Sequence, residues 1–223
     1  MRTFFTIWIT CAGAALAAIQ QPNRDLLLTP DHAKMNREAP ELCRIRLDTS
    51  RGPITLEMHR AWSPHGADRF FNLVRHGYYD EARFFRVRAA TWVQFGISAD
   101  PRVATIWRTR AIPDDPRRVS NTRGTVAYAF KDPNGRTTQV FINLRDNAST
   151  HDDEPFVPFA RVVDGMEAAD ALHAEYGEKA GGGIRGGKQD PLFAEGNAYL
   201  LREFPKLDYI RRAYVLPAGR QSP

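Results

Sequence analysis

The alternation that begins at Leu42 limits the possible folds more than any other feature of this chain. Cys43, Ile45 and Leu47 alternate with Arg44, Arg46 and Asp48, the two-residue period of a strand with one dry and one wet face. Ser50-Arg51-Gly52-Pro53 turns the chain, and Ile54, Leu56 and Met58 alternate again, which predicts a hairpin. Further strands are expected at Phe84–Val87, Trp92–Ile97, Gly124–Phe130, Gln139–Asn143, Val157–Val163 and Tyr209–Val215. Helical spacing is sparser. Ser63-Pro64 offers an N-cap and a first-turn proline, and Ala67, Phe70, Phe71 and Val74 share a face until His76-Gly77. Met166, Ala169 and Leu172 predict a second helix, and a short helical stretch is expected around Leu192–Arg202. Strands that outnumber helices and do not alternate with them exclude a parallel α/β fold. The expectation is mainly β: an antiparallel barrel capped by two helices.

The N-terminus has a different composition. Met1-Arg2-Thr3 is a short positive start, Phe4–Leu16 is almost wholly apolar, and Ala15-Leu16-Ala17 has the small-x-small pattern of a signal-peptidase site. The apolar run falls short of the roughly 20 residues a membrane span needs, so residues 1–17 read as a signal peptide, a retained anchor being the other reading. A periplasmic or otherwise exported protein is expected, with no membrane association after cleavage. Residues 18–41 lack periodicity and read as a linker, 42–216 as one domain, and 217–223 as a tail. Cleavage would remove Cys11 and leave Cys43 alone, so no intramolecular disulfide is expected; Cys43 reads as a buried, inert thiol. The net charge, 31 − 26 = +5, is spread in short pairs such as Arg117-Arg118 and Arg211-Arg212. Without a basic stripe, no nucleic-acid partner is expected.

Several motifs fail on context. Gly181-Gly182-Gly183-Ile184-Arg185-Gly186 fits G-x-G-x-x-G, but a helix is expected before it and Lys188-Gln189-Asp190-Pro191 follows, the reverse of a dinucleotide site. The six histidines show no metal-ligand spacing, and the G-x-S-x-G of a hydrolase elbow is missing. No metal is expected.

A longer constellation does carry chemistry. Phe84-Phe85-Arg86-Val87 lies eight residues before Gln94-Phe95-Gly96. Gly124-Thr125-Val126-Ala127-Tyr128-Ala129-Phe130 follows, then Thr138-Gln139-Val140-Phe141-Ile142-Asn143, with fifteen residues between Gly124 and Gln139. Phe156 through Gly165-Met166 completes the set. This order and spacing, together with the Ala67–Val74 helix, resembles the cyclophilin family of peptidyl-prolyl cis/trans isomerases over about residues 43–215, and more particularly a divergent, exported bacterial member. The resemblance implies an eight-stranded antiparallel barrel closed by two helices and an enzyme with no cofactor. It implies Arg86 and Gln94 as catalytic residues, and Trp92, Ala129, Phe130, Gln139, Phe141 and Phe156 as substrate-binding residues. Its partners would be proline-containing polypeptide clients, bound by a monomer.

That chemistry needs no nucleophile. Amide resonance imposes a barrier of about 18–20 kcal/mol, and X–Pro bonds interconvert over roughly tens to hundreds of seconds. A donor aimed at the prolyl nitrogen stabilises the twisted amide more than the planar one, a task that suits an always-charged, planar guanidinium. Four positions depart from the family pattern. Thr91 replaces an aromatic, Ser149-Thr150 falls where the family's W-L or F-L pair is counted, Phe156 replaces a histidine, and Phe130 stands where an asparagine often follows the alanine. These departures keep two other readings open: a peptide-binding or chaperone module that turns over slowly, and a barrel used as a structural scaffold.

Overall fold

The hairpin expected from Leu42 is present. In the computed structural model, which describes residues 22–217, β1 (Leu42–Thr49) pairs antiparallel with β2 (Gly52–His59) from Leu42 opposite His59 to Thr49 opposite Gly52. Gly52, at φ +121°, makes the turn. The expected signal segment lies outside the described residues.

Six more strands complete one sheet: β3 (Arg86–Arg88), β4 (Trp92–Phe95), β5 (Thr125–Tyr128), β6 (Val140–Asn143), β7 (Pro158–Asp164) and β8 (Ile210–Val215). Their order is β3-β4-β6-β5-β7-β2-β1-β8, and every pairing is antiparallel. The two outer strands do not stay apart. Arg83 bridges Tyr209, Phe84 N–H donates to Asp208 C=O at 3.0 Å, and Ile210 N–H donates to Ala82 C=O at 2.9 Å, which closes the sheet into a barrel. The fold class is therefore as expected. Inside lie Ile45, Leu47, Ile54, Leu56 and Met58, all without exposed surface.

Helix α1 (Pro64–Arg75) starts and stops as expected, and buries Phe70 and Leu73 completely. Its cap is not the one Ser63 suggests. The Ser63 hydroxyl makes no bond to the helix but donates to Asp115 Oδ2 at 2.5 Å. The Asp115 carboxylate itself accepts from the N–H groups of His65 at 3.2 Å and Gly66 at 3.1 Å, so a distant residue satisfies the open donors of the first turn. Arg136, with 0% exposure, completes the cluster by donating to Asp115 Oδ2 at 2.9 Å.

Other elements differ from expectation. The second cap, α4 (Met166–Asp170), is only five residues long. Helix α2 (Pro101–Trp107), capped by the Asp100 side chain, and α3 (Ala148–His151) were not anticipated, and the helical stretch near Leu192 is two helices, α5 (Asp190–Glu195) and α6 (Asn197–Glu203). The barrel thus carries more than two helices. Residues 22–41 are not a free linker. They form two short 3-10 turns, Arg24–Leu28 and Ala33–Met35, whose Leu27 and Met35 enter the core, and Trp107 Nε1 donates to Leu27 C=O at 2.8 Å. Cys43 is half-buried rather than buried, and desolvation pushes its thiol up to about 11, so it stays protonated and unreactive near neutrality.

A second, smaller core of Phe85, Ile97, Ala104, Ala180, Leu192 and Phe193, with neighbours, joins α2 and the C-terminal helices to the barrel's outer side. It roots the 171–209 region against β3 and β4.

Asp115 makes a direct stability test. Burial pushes its carboxyl up, but the Ser63 hydroxyl and the Arg136 guanidinium outweigh that and hold it below the usual carboxylate range. With a depressed folded pKa its contribution is present above the unfolded value near 3.8 and is lost as pH falls through the folded one. Asp115→Ala removes one of the two carboxylates beside the buried Arg136, leaving Asp114 Oδ1 3.2 Å from Nε, and uncaps α1, and should cost about 2–4 kcal/mol in denaturant unfolding at pH 7. A loss under about 1 kcal/mol would show that the cluster does not hold the helix.

Candidate active site

The two-residue period of the strands does double duty. Along β5 and β6, Val126, Tyr128, Val140 and Ile142 face the barrel core, whereas Ala127, Ala129 and Phe141 form a separate apolar group on the outer face, with Trp92, Phe156 and Ile184 packed against it. Cross-strand register extends this face. Arg86 stands opposite Gln94, Gln94 opposite Phe141, and Phe141 opposite Ala127. Residues directly opposite on neighbouring strands point the same way, so one row across four strands aligns a cation, an amide and an apolar floor.

This face lines a cavity of roughly 740 Å³, bounded by Arg86, Trp92, Gln94, Ala129, Phe130, Phe141 and Phe156 among others. Seven of the eight expected site residues therefore meet there. Gln139 is the exception and corrects the reading of it as a substrate contact. It is buried, does not line the cavity, and accepts from Gln94 Nε2 at 2.9 Å. Gln94 Oε1 in turn accepts from Arg86 Nη1 at 3.0 Å. The Arg86 guanidinium also lies 5.2 Å from the Trp92 ring centroid, within cation–π range, and its Nε donates to Glu178 Oε2 at 2.8 Å. Nη2 has no hydrogen-bond partner among the described residues.

Two departures from the family pattern resolve differently in three dimensions. Thr91 does not line the cavity; its C=O accepts from the N–H of Leu144 and the side chain of Asn147, a turn role. The position counted as Ser149-Thr150 is filled by His151, whose ring lies 5.3 Å from Trp92, 5.5 Å from Phe141 and 4.8 Å from Phe156. Thr150 lines the cavity beside it, its hydroxyl 2.8 Å from His151 Nδ1. Burial lowers the His151 pKa, the nearby Arg145 and Arg185 adding to it and Glu154 and Asp152 opposing it. The imidazole is thus neutral at pH 7 and serves as an apolar-faced wall.

The Gly-rich segment is the largest feature that spacing alone did not place. Residues 182–188 and Glu178 roof the cavity. Arg185 stacks 4.5 Å from Phe130 and 5.4 Å from Phe156 and pairs with Glu154 on the opposite rim. Gly183 abuts the guanidinium so closely that a Cβ there would stand 3.1 Å from Arg86 Nη1. A second residue of this loop, Gly181, is held at φ +152° against Leu192 and Phe85.

A cation held over an apolar floor on the outer face of an antiparallel barrel suits a proline-bearing amide. Comparison with known proteins agrees. Residues 44–186 match the cyclophilin type peptidyl-prolyl cis-trans isomerase family. The chain is 34% identical over 137 residues to a peptidyl-prolyl cis-trans isomerase of Streptomyces antibioticus, covering 57% of this chain and 81% of that one. It is 28% identical over 136 residues to peptidyl-prolyl cis-trans isomerase B of Escherichia coli, covering 57% and 82%. A cyclophilin type isomerase from Cryptosporidium parvum has the same fold, with a TM-score of 0.58 at 17% identity over 80% of this chain and 99% of that one. The same protein was also solved in the presence of dipeptide ala-pro. This chain belongs to the cyclophilin family and is a cyclophilin-type peptidyl-prolyl cis-trans isomerase.

His151 supplies the test of the wall. Its folded pKa lies below the unfolded one, so acidification protonates the unfolded chain first and the folded site loses stability as pH falls below about 6.5. Its ring protons should titrate by NMR with a midpoint below about 6.5. A midpoint above that value would mean that the ring is not desolvated against Trp92 and Phe156.

Proposed function

We propose that this enzyme isomerises X–Pro bonds in exported proteins as they fold, working without a cofactor. One observation carries the mechanism: the Arg86 guanidinium, fixed by Gln94, borders the Phe141–Ala129 floor. A prolyl ring on that floor, walled by Trp92, His151 and Phe156, brings its amide nitrogen toward Arg86. Donation from the unpartnered Nη2 draws the nitrogen lone pair out of conjugation, so the twisted amide gains more than either planar isomer. Desolvation within the apolar walls strengthens that bond. Burying the ring supplies binding, and donation to the nitrogen lowers the amide C–N bond order that opposes rotation. No bond is broken.

Export is supported by the segment Met1–Ala17 with its small-x-small end. The client class follows from the site, which offers one apolar pocket and one donor and so asks for a proline and little else. The reading as a slow binding module draws on Glu178, which occupies Arg86 Nε and must share the guanidinium with a bound peptide.

Arg86→Ala, in a protease-coupled assay on Ala-Pro peptides, should lose on the order of 100-fold or more in kcat/KM, as when one preorganised donor is removed elsewhere. A folded variant with wild-type rates would sink the mechanism. Glu178→Ala should raise kcat/KM by about two- to tenfold if the ion pair holds part of the population out of action; a fall instead would make Glu178 a supporting partner of Arg86.

A further inference from the structure

The family match ends at residue 186, yet the hydrogen bonds that hold Arg86 run past it. Arg86 Nη1 donates to Gln94 Oε1 at 3.0 Å, and Gln94 Nε2 donates to Gln139 Oε1 at 2.9 Å. Gln139 Nε2 then donates to Gln189 Oε1 at 2.8 Å, and Gln189 Nε2 reaches both Gln139 Oε1 at 3.2 Å and the Gly182 C=O at 3.0 Å. The direction of the chain is forced at its first member. A guanidinium has donors only, so Gln94 must turn its oxygen to Arg86 and its nitrogen to Gln139, and each later amide inherits its orientation. Gln94, Gln139 and Gln189 are all buried, where an unmet amide donor or acceptor is costly.

We propose that Gln189 is a positioning residue for Arg86, acting on it from two sides. On one side the three amides fix Gln94 and hence Nη1. On the other, the bond to Gly182 seats the roof so that Gly183 lies against the guanidinium, where an added Cβ would stand 3.1 Å from Nη1 and press on it. The Gln189 side chain makes no capping bond to the helix that follows it, so its two amide ends serve this network. Gly183 thus brings backbone, rather than a side chain, to the edge of the Arg86 guanidinium.

The proposal rests on the isomerase reading, and the experiment separates the two. Gln189→Leu and Gln189→Glu are made in the full chain, the second keeping shape and an acceptor but bringing no hydrogen to the Gly182 C=O. The junction lies outside the barrel, and melting curves confirm that each variant folds. Each should lower kcat on an Ala-Pro peptide by on the order of 10- to 100-fold, as a misplaced catalytic group does, with KM changed little. The Arg86 Nε–H resonance should move in both, read by NMR without substrate. Wild-type kcat together with an unmoved Arg86 signal overturns the proposal, as does a loss of rate that merely follows loss of folded protein. If the folded wild type shows no isomerisation, the isomerase reading fails, and the Arg86 resonance alone then decides whether Gln189 positions it.

Discussion

The closure of the sheet onto itself is the constraint on which the remaining structure depends. An eight-stranded sheet left open would expose two rows of unpaired backbone groups. Here the rows meet where Ala82–Phe84 exchanges hydrogen bonds with Asp208–Ile210. The seam is reinforced by Asp208, whose buried carboxylate accepts from Ser50 Oγ at 2.7 Å, Arg51 Nε at 2.9 Å and His173 N–H at 2.7 Å. Arg86 follows the seam by two residues, so the cation at the edge of the cavity is set by the same bonds that finish the barrel. Its register opposite Gln94 is then a property of the β3–β4 pair rather than of any loop.

Function is built on the outer face, and this explains how one sequence period serves two purposes. Val126 and Tyr128 point inward and hold the barrel, while Ala127 and Ala129 point outward and floor the cavity. The second core around Phe85, Ile97, Leu192 and Phe193 lies beside that floor. It carries Gln189 and the glycine loop to the site from a part of the chain far away in sequence. The apparently excessive Arg content is largely absorbed by local pairing: Arg161 and Arg44 share Glu57, and Arg123 pairs with Asp170. The exposed Arg123–Asp170 pair contributes little, whereas Glu57 is buried beneath its two arginines; Arg86 is distinctive for its cavity rather than for its charge.

Much of this was legible beforehand. Alternation located β1 and β2 and picked out their inward residues Ile45, Leu47, Ile54, Leu56 and Met58, although Thr55 and Glu57 between them are buried as well. Arg86 and Gln94 were found because a fixed separation across a tight hairpin keeps them opposite. Other features escaped for identifiable reasons. Helix α2 had its Asp100-Pro101 start and its Val103, Ala104 and Trp107 face in plain view, but it sits among irregular segments where a short period is easily passed over. Gln139 was read as a contact because motif spacing records neighbourhood and not whether an amide faces the cavity or lies behind it. His151 was missed because nothing in its local sequence marks it, and only the fold brings its ring against Trp92, Phe141 and Phe156. The stretch before Leu42 has no period at all, since isolated 3-10 turns bury single residues such as Leu27 and Met35.

The neighbours of β1 have a consequence for the order of events in making the molecule. Its first partner, β2, is eight residues long and follows at once, but its second, β8, is the last strand of the sheet. The N-terminal strand therefore waits, one edge bare, until residue 215 has been synthesised. Contacts that span so much sequence form slowly and only after the intervening chain is complete. The barrel closes only once that last strand is available, and until then the bare edge of β1 is open to pairing with another strand.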